Sequence, residues 1–420
     1  MQTDFYPFFV DNSPFLLDIV SGKIIYNYEG IDLISYFNER MLPEEKKVKP
    51  KVKSFSLSVA QKCNLGCTYC YAEQGNFGSK PDNMKLQAAL QSVDQLFSDA
   101  VNGEHYTLAF MGGEPLFNRE VLYKATKYAF NKAKEKEISL GFTITTNATL
   151  IRLEDLHFFH RYQFTVTVSI DGVGEVHDQL RPYISGKSSF NKVKEKVLSL
   201  VNYPNRNYKV FARATVTTKN TEVLKTLQEL QKLGFHSIQF SPMLNSPNGK
   251  EQLSEEEIDN LLIEFKKCGD YFEESFQNKK LIPFQNVLSI LSQIHNYKKQ
   301  SYPCGAGGSY MSVSASGELY ACHRFVNDEN GYMGDIQNGI DASKQEDWLI
   351  SKHSDNQVDC QSCWARNLCA GSCHHEVMYR GRPACNYIRG WIDYCLKLYV
   401  RLYQQDATAL EYLLGNNMQS

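Results

Sequence analysis

Between residues 55 and 243 the chain switches repeatedly between two hydrophobic periods. Strand-like runs, "FSLSVA", "YTLAFM", "GFTITTN", "FTVTVSID", "KVFARATVT" and "SIQFSPM", are separated by amphipathic segments such as 82–99, 119–137, 190–202 and 221–233. Strand and helix alternating about six times predicts an α/β fold with a parallel sheet, curved or closed, and helices outside it. The length allows this: the 420 residues exceed one ordinary small domain, but an α/β barrel absorbs about 200 to 250 of them as a single unit. In such folds functional residues gather at the carboxyl ends of the strands. The unusual residues of this chain lie there. Cys63, Cys67 and Cys70 follow the first strand, Gly112, Gly113, Glu114 and Pro115 the second, Asn147 the third and Asp171 the fourth.

The flanking regions read differently. Residues 5–40 contain "PFLLDIV", a Ser-Gly turn, "KIIYNY" and "GIDLISYFNERM", which predict a β-hairpin followed by a short helix. The charged, proline-bearing "LPEEKKVKPKVKS" reads as a linker. A helical stretch at 254–298 leads into a cysteine-rich region, 304–385, and the chain closes on a helix-like segment, "YIRGWIDYCLKLYVRLYQQDATALEYLLG". Four domains are therefore expected: 1–50, 51–299, 300–390 and 391–420.

Composition narrows the class of partner. The 45 basic and 47 acidic residues nearly balance, and no Lys/Arg block offers a footprint for nucleic acid. Asp4, Asp11, Asp18 and Glu29 rule out a secretory signal in the first thirty residues, and no apolar run is long enough to span a membrane. A cytoplasmic protein is expected. In a reducing compartment its 12 cysteines point to metal binding or chemistry rather than disulfides.

The first cysteines read C-x3-C-x2-C. Four thiolates close a zinc site or satisfy all the irons of a cubane, whereas three leave one iron open to an outside ligand. A zinc loop completed by a distant His or Cys, or three incidental buried thiols, are the competing readings. The segment, with Tyr69 just before the last cysteine, resembles the signature of radical S-adenosylmethionine enzymes. That resemblance implies a partial (β/α)6 TIM-like barrel in which the open iron binds S-adenosylmethionine, whose reductive cleavage yields a 5'-deoxyadenosyl radical. "GGEP", Gly112 to Pro115, resembles the family's GGE motif, where glycines let backbone approach the methionine moiety and the carbonyls and a carboxylate suit its ammonium group. Asn147 is a further candidate for the cofactor site. "VSIDG", with Ser169 and Asp171, resembles the segment that meets the methionine carboxylate or ribose, and Arg213 is a candidate carboxylate partner or a surface ion pair.

The later cysteines, Cys304, Cys322, Cys360, Cys363, Cys369, Cys373 and Cys385, exceed what one four-coordinate site uses. Zinc knuckles with His374 and His375 in reserve are one reading. The spacing also resembles the seven-cysteine SPASM extension of peptide-modifying radical enzymes. The resemblance implies two auxiliary [4Fe-4S] clusters, three in all, with Cys360, Cys363, Cys369 and Cys385 on one and Cys304, Cys322 and Cys373 on the other. "CGAGGSY" supplies no further cysteine near Cys304, which leaves the fourth position to Cys395, Cys268, a non-cysteine ligand or a substrate thiolate. Cys268 and Cys395 themselves read as core thiols.

"YAEQGNFG" is similar to the continuation found in maturases of ribosomally made peptides that join a Cys sulfur to carbon. A thioether-forming maturase is thus implied, acting on a ribosomally synthesised precursor peptide whose leader adds to the N-terminal segment. A flavodoxin or ferredoxin would serve as reductant. The rival within the family forms carbon-carbon or ether links or oxidises Cys or Ser to formylglycine, as sulfatase maturases do; the rival outside it is a zinc-binding, non-enzymatic protein. Candidates for acid-base assistance are Asp171, His177, Asp178 and Arg181 in "DGVGEVHDQLRP".

Overall fold

The computed structural model describes residues 4–28, 50–78, 82–246 and 248–416. They form two compact units, one from the described residues of 1–48, 254–304 and 350–420, the other from those of 49–253 and 305–349. This grouping cuts across the expected boundaries at 299 and 390, because 305–349 extends the sheet of the larger unit while 254–304 packs with the chain's two ends. The helix expected within 30–41 lies outside the described residues.

In the smaller unit, β1 (Phe5–Val10), β2 (Ser13–Asp18) and β3 (Ile24–Tyr26) form an antiparallel sheet. The expected hairpin is the β2–β3 pair, with Phe15 opposite Tyr26. Its turn is held by buried Asp18, whose carboxylate accepts from Val20 N at 3.0 Å and Ser21 Oγ at 2.6 Å. Helices Glu255–Gln277, Gln285–His295 and Cys385–Asn416 complete the unit. The first starts on a reciprocal cap between Ser254 and Glu257, and Phe265, Phe284, Tyr387 and Trp391 pack edge to face between the helices. The last helix departs from helical backbone at Asp406.

The larger unit is built on a ten-stranded sheet. Strands β4 (Ser54–Ala60), β5 (His105–Gly112), β6 (Ser139–Thr146), β7 (Thr165–Ser169), β8 (Lys209–Val216) and β9 (Ser237–Pro242) run parallel in chain order. They are the expected (β/α)6 series. Beyond β4 the sheet continues through β10 (Tyr310–Val313), parallel to it, and then antiparallel through β11 (Glu318–Tyr320), β12 (Tyr332–Asp335) and β13 (Gly339–Ile340). The strand order ends at β9 and β13, so the sheet stays open.

The two faces of the parallel strands differ. Leu108 and Phe110, Val166 and Val168, Val210 and Ala212 are buried, and the helices α1 (Leu86–Leu96), α2 (Arg119–Glu135) and α6 (Val223–Gln231) pack on β4, β6 and β9. Between them come α3 (Leu153–Tyr162), α4 (Glu175–Leu180) and α5 (Phe190–Val201); α5 buries Phe190, Val193, Val197 and Leu200 along one stripe. Each such side chain contributes about 1.5–3 kcal/mol of burial. On the alternate positions stand Thr143, Thr145, Thr167, Ser169, Gln239 and Ser241, half-buried, and exposed Arg213. A closed barrel fills this interior with branched apolar side chains; here the same face is polar and open. Among the described residues no helix is long and apolar enough to cross a membrane.

Candidate active site

The cysteine loop leaves β4 at Ala60 and is gripped by a segment the sequence pattern did not connect to it. Gly66 N donates to Pro182 O at 2.8 Å, Thr68 N to Leu180 O at 3.0 Å, and Ile184 N to Asn64 O at 3.0 Å. Residues 64–68 and 180–184 therefore run as an antiparallel pair, with Leu65 bridged to Tyr183. The loop borders a cavity of about 250 Å³ lined by Cys67, Thr68, Cys70, Glu73, Gln74 and Asn248. Cys63, Cys67 and Cys70 are all free thiols. Burial pushes the Cys63 thiol up to about 11 and that of Cys67 up to about 12. Bare thiolates are thus disfavoured, and cationic iron would offset that penalty. Three thiols on one loop beside a cavity fit an iron-sulfur cluster with one open position.

The GGE turn closes on this loop from β5. Gly113 N donates to Ala60 O at 2.8 Å and Glu114 N to Lys62 O at 2.7 Å. Gly112 has φ +142°, and a Cβ there would stand 2.3 Å from Ala60 O; one on Gly113 would stand 2.4 Å from Lys62 O. The glycines are needed for contact with the protein's own cysteine strand, whatever ligand they also admit. Glu114 is fully buried, and its carboxylate faces protein donors: Leu116 N at 3.1 Å, Thr146 Oγ1 at 2.7 Å and Asn147 N at 2.7 Å. It ties the end of β5 to the end of β6, where an ammonium partner was expected. Burial pushes its pKa up to about 7, against the pull of those three hydrogen bonds. Pro115 is buried at the start of a short 3-10 turn, Pro115–Asn118. Asn147 reaches the cysteine loop, with Nδ2 at 3.6 Å from Cys63 Sγ and 3.0 Å from Asn64 Oδ1.

Tyr69 turns inward. Its hydroxyl donates to Asp171 Oδ2 and accepts from Arg181 NH1 at 2.7 Å. Asp171 is fully buried; Oδ1 accepts from Thr215 N at 2.9 Å, and its backbone oxygen from Asn220 Nδ2 at 2.9 Å. Burial raises its pKa, opposed chiefly by Arg181. His177 is buried too; Nδ1 accepts from Asp171 N at 3.4 Å, and burial together with Arg181 lowers its pKa to about 3, which keeps it neutral. Asp178 Oδ1 accepts from Ser189 N at 2.7 Å and Phe190 N at 2.8 Å, holding the start of α5. All four acid-base candidates are thus engaged in the protein's own framework. Ser169 and Arg213 are register neighbours on β7 and β8, on the half-exposed face, and Arg213 donates to Ser241 Oγ at 3.2 Å and Gln239 Oε1 at 3.4 Å on β9.

In the smaller unit Cys360 lies within electrostatic reach of Cys363 and Cys385, and Cys369 within reach of Cys360 and Cys385. Burial raises the Cys360 thiol, and neighbouring Cys363 and Cys385 add to it; Cys369 is raised by burial and then by Cys360 and Cys385. Backbone N–H groups of Gly371 and Ser372 point at Cys369, and Arg382 braces the turn through Gly371 O at 2.8 Å and Asp359 Oδ2 at 3.0 Å. Cys304 and Cys373 belong to this unit and Cys322 to the larger one. Cys268 and Cys395 are fully buried in helices, as core thiols are. Among the described residues no three His, Cys, Asp or Glu side chains converge on a single-ion site. The framework residues Thr146, Thr215 and Asn220 escaped sequence reading, as did the pairing of 180–184 with the cysteine loop; the hint for that segment was the dense polar run "HDQLRP" behind the fourth strand.

Residues 57–252 match the model of the Radical SAM superfamily. The chain is 28% identical to the cysteine-type anaerobic sulfatase-maturating enzyme of Clostridium novyi (strain NT), over 77% of this chain and 89% of that one. It is 23% identical to the radical SAM cyclopropyl synthase TigE of Paramaledivibacter caminithermalis, over 92% of this chain and 84% of that one. In fold it is similar to the solved structure of native anSMEcpe with bound AdoMet and Cp18Cys peptide, with a TM-score of 0.70 at 21% identity, over 85% of this chain and 100% of that one.

Proposed function

We propose that this chain, an enzyme whose residues 57–252 match the Radical SAM superfamily, is a maturase that oxidises a Cys or Ser side chain of a peptide or protein substrate to formylglycine. The observation that carries this reading is the likeness, over 77% of the chain, to a cysteine-type anaerobic sulfatase-maturating enzyme. It supports aldehyde formation better than the thioether cross-link expected from the sequence. Cross-linking of a leader-bearing precursor remains the second reading on two observations: the likeness to a cyclopropyl synthase over 92% of the chain, and the N-terminal sheet, whose short edge strand β3 offers a place for a leader strand to add.

Cys63, Cys67 and Cys70 would hold the cluster with the open iron, and Cys360, Cys363, Cys369 and Cys385 an auxiliary one. When bound, these groups and S-adenosylmethionine supply hydrogen-atom abstraction and an acceptor for the second electron of the oxidation. The chain's own part is to hold and orient. Glu114 fixes the ends of β5 and β6, Asn147 steadies Cys63, and Ser169 and Arg213 present donors on the open face for the cofactor's carboxylate. Iron content reports the cluster number: about twelve irons for the three expected clusters, about eight for two. A flavodoxin or ferredoxin is the proposed reductant.

The test is anaerobic incubation of the reconstituted enzyme with S-adenosylmethionine, dithionite and a Cys-containing sulfatase-type peptide, then hydrazide trapping and mass spectrometry. An aldehyde with loss of the thiol sulfur is expected. Thiols consumed with no aldehyde would overturn the formylglycine reading in favour of cross-linking.

A further inference from the structure

Beneath the cysteine loop lies a buried cation whose position is set by backbone register. The three hydrogen bonds that pair 64–68 with 180–184 join Asn64 to Ile184, Gly66 to Pro182 and Thr68 to Leu180. In that antiparallel register Arg181 stands directly opposite Cys67, in a pair that exchanges no backbone hydrogen bond. Side chains of such pairs emerge on the same face and approach more closely than those of hydrogen-bonded pairs. Pro182 has no N–H to give, so the ladder is held by its carbonyl and by the bonds on either side.

The guanidinium has little freedom. Arg181 is only 9% exposed, NH1 donates to Tyr69 OH at 2.7 Å and lies 3.8 Å from Asp171 Oδ2, and its backbone oxygen accepts from Ser189 Oγ at 2.6 Å. Tyr69 passes the chain on to Asp171 by donating its own O–H. The polar row therefore has its positive end at Arg181 and its negative end at Asp171, the latter drawn toward Thr215 N on β8. Nε of Arg181 is buried with no hydrogen-bond acceptor among the described residues.

We infer that Arg181 is a positioning residue for the cysteine loop: pinned opposite Cys67 by Tyr69, Asp171 and the 180–184 strand, its fixed positive charge makes the cluster held by that loop easier to reduce. The inference rests on the radical SAM reading. One-electron reduction, with the electron supplied by an external reductant and no proton moved, adds a negative charge to a group already bound by three thiolates. A permanent cation facing one of those sulfurs favours the reduced form, and guanidinium is the side chain that stays charged when buried.

The experiment is a potentiometric titration of the reconstituted holoenzyme, reading by electron paramagnetic resonance the reduced signal that changes on adding S-adenosylmethionine. Arg181→Gln keeps a donor for Tyr69 but removes the charge; Arg181→Met removes both; Arg181→Lys keeps the charge. Both neutral variants are expected to lower the reduced-to-oxidised ratio at fixed potential at least tenfold, about 59 mV for one electron. Arg181→Lys should stay within about threefold of wild type. Tyr69→Phe, which frees the guanidinium, should fall between. Iron and sulfide assays accompany each titration. Failure of both neutral variants to hold the cluster while Arg181→Lys holds it would also support the assignment, since the same charge then secures the thiolates. Neutral variants that titrate with wild type, or a Lys variant as low as the Met variant, would overturn it. Wild-type protein without iron or sulfide would overturn the radical SAM reading and this inference with it.

Discussion

Replacing Glu114 with Gln should change stability in a way that depends on pH. The carboxyl is fully buried and pushed up to about 7 by desolvation, from 4.5 when solvated. A group whose pKa is raised by folding contributes stability that is present below its unfolded value and is lost as pH rises through its folded one. At about 1.4 kcal/mol per pH unit, the gap between 4.5 and about 7 corresponds to about 3 kcal/mol lost by wild type as pH rises across that window. The amide does not titrate and loses nothing there. Its own penalty is structural: one oxygen cannot serve Leu116 N, Thr146 Oγ1 and Asn147 N as two did, and an unmet buried donor costs about 1–3 kcal/mol. E114Q is therefore expected to be less stable than wild type at pH 4.5 and to draw level with it or pass it by pH 8. Urea unfolding of the metal-free proteins, followed by far-ultraviolet circular dichroism at both pH values, measures the two differences. A stability gap that is the same at both pH values, or that widens toward pH 8, would refute the burial argument.

Other substitutions probe the framework. Gly113→Ala would drive a Cβ to 2.4 Å from Lys62 O, so it should displace the cysteine loop and reduce iron incorporation on reconstitution while the α/β fold persists by circular dichroism. Asp178→Ala removes the acceptor for Ser189 N and Phe190 N and should cost about 1 kcal/mol in urea unfolding, with Asp178→Asn recovering most of it. Asp155→Ala strips Arg119 and Tyr123 of a buried partner held at 2.7 Å and 2.6 Å and should cost about 3–5 kcal/mol, read as a lowered melting temperature.

What the sequence disclosed follows the range of the interactions involved. The six parallel strands overlap the segments read from periodicity, and the helices Leu86–Leu96, Arg119–Glu135, Phe190–Val201 and Val223–Gln231 fall inside them, because burial of one face writes a local pattern. Strands β10–β13 have two to four residues each, too few to show a period, and the place of β10 beside β4 depends on pairing across the whole barrel segment. β1 escaped because "FYPFFV" is a nearly unbroken apolar, aromatic run with no alternation and is interrupted by Pro7. Cysteine spacing was legible since ligands on one loop must be near in sequence. The opposition of Arg181 to Cys67, and the binding of Glu114 to β6, were not, since no local pattern encodes which distant backbone a loop will meet. The same limit applies to the acid-base candidates: Asp171, His177, Asp178 and Arg181 were identified as a polar run, but only the folded backbone reveals that they brace it.

The most direct measurement of the central claim is release of 5'-deoxyadenosine from S-adenosylmethionine by the anaerobically reconstituted protein with dithionite, compared with a variant carrying alanine at Cys63, Cys67 and Cys70. Release by wild type and none by the triple variant is the predicted result. Equal release by both, or none by an iron-loaded wild type, would contradict the assignment of this loop as the site of radical chemistry.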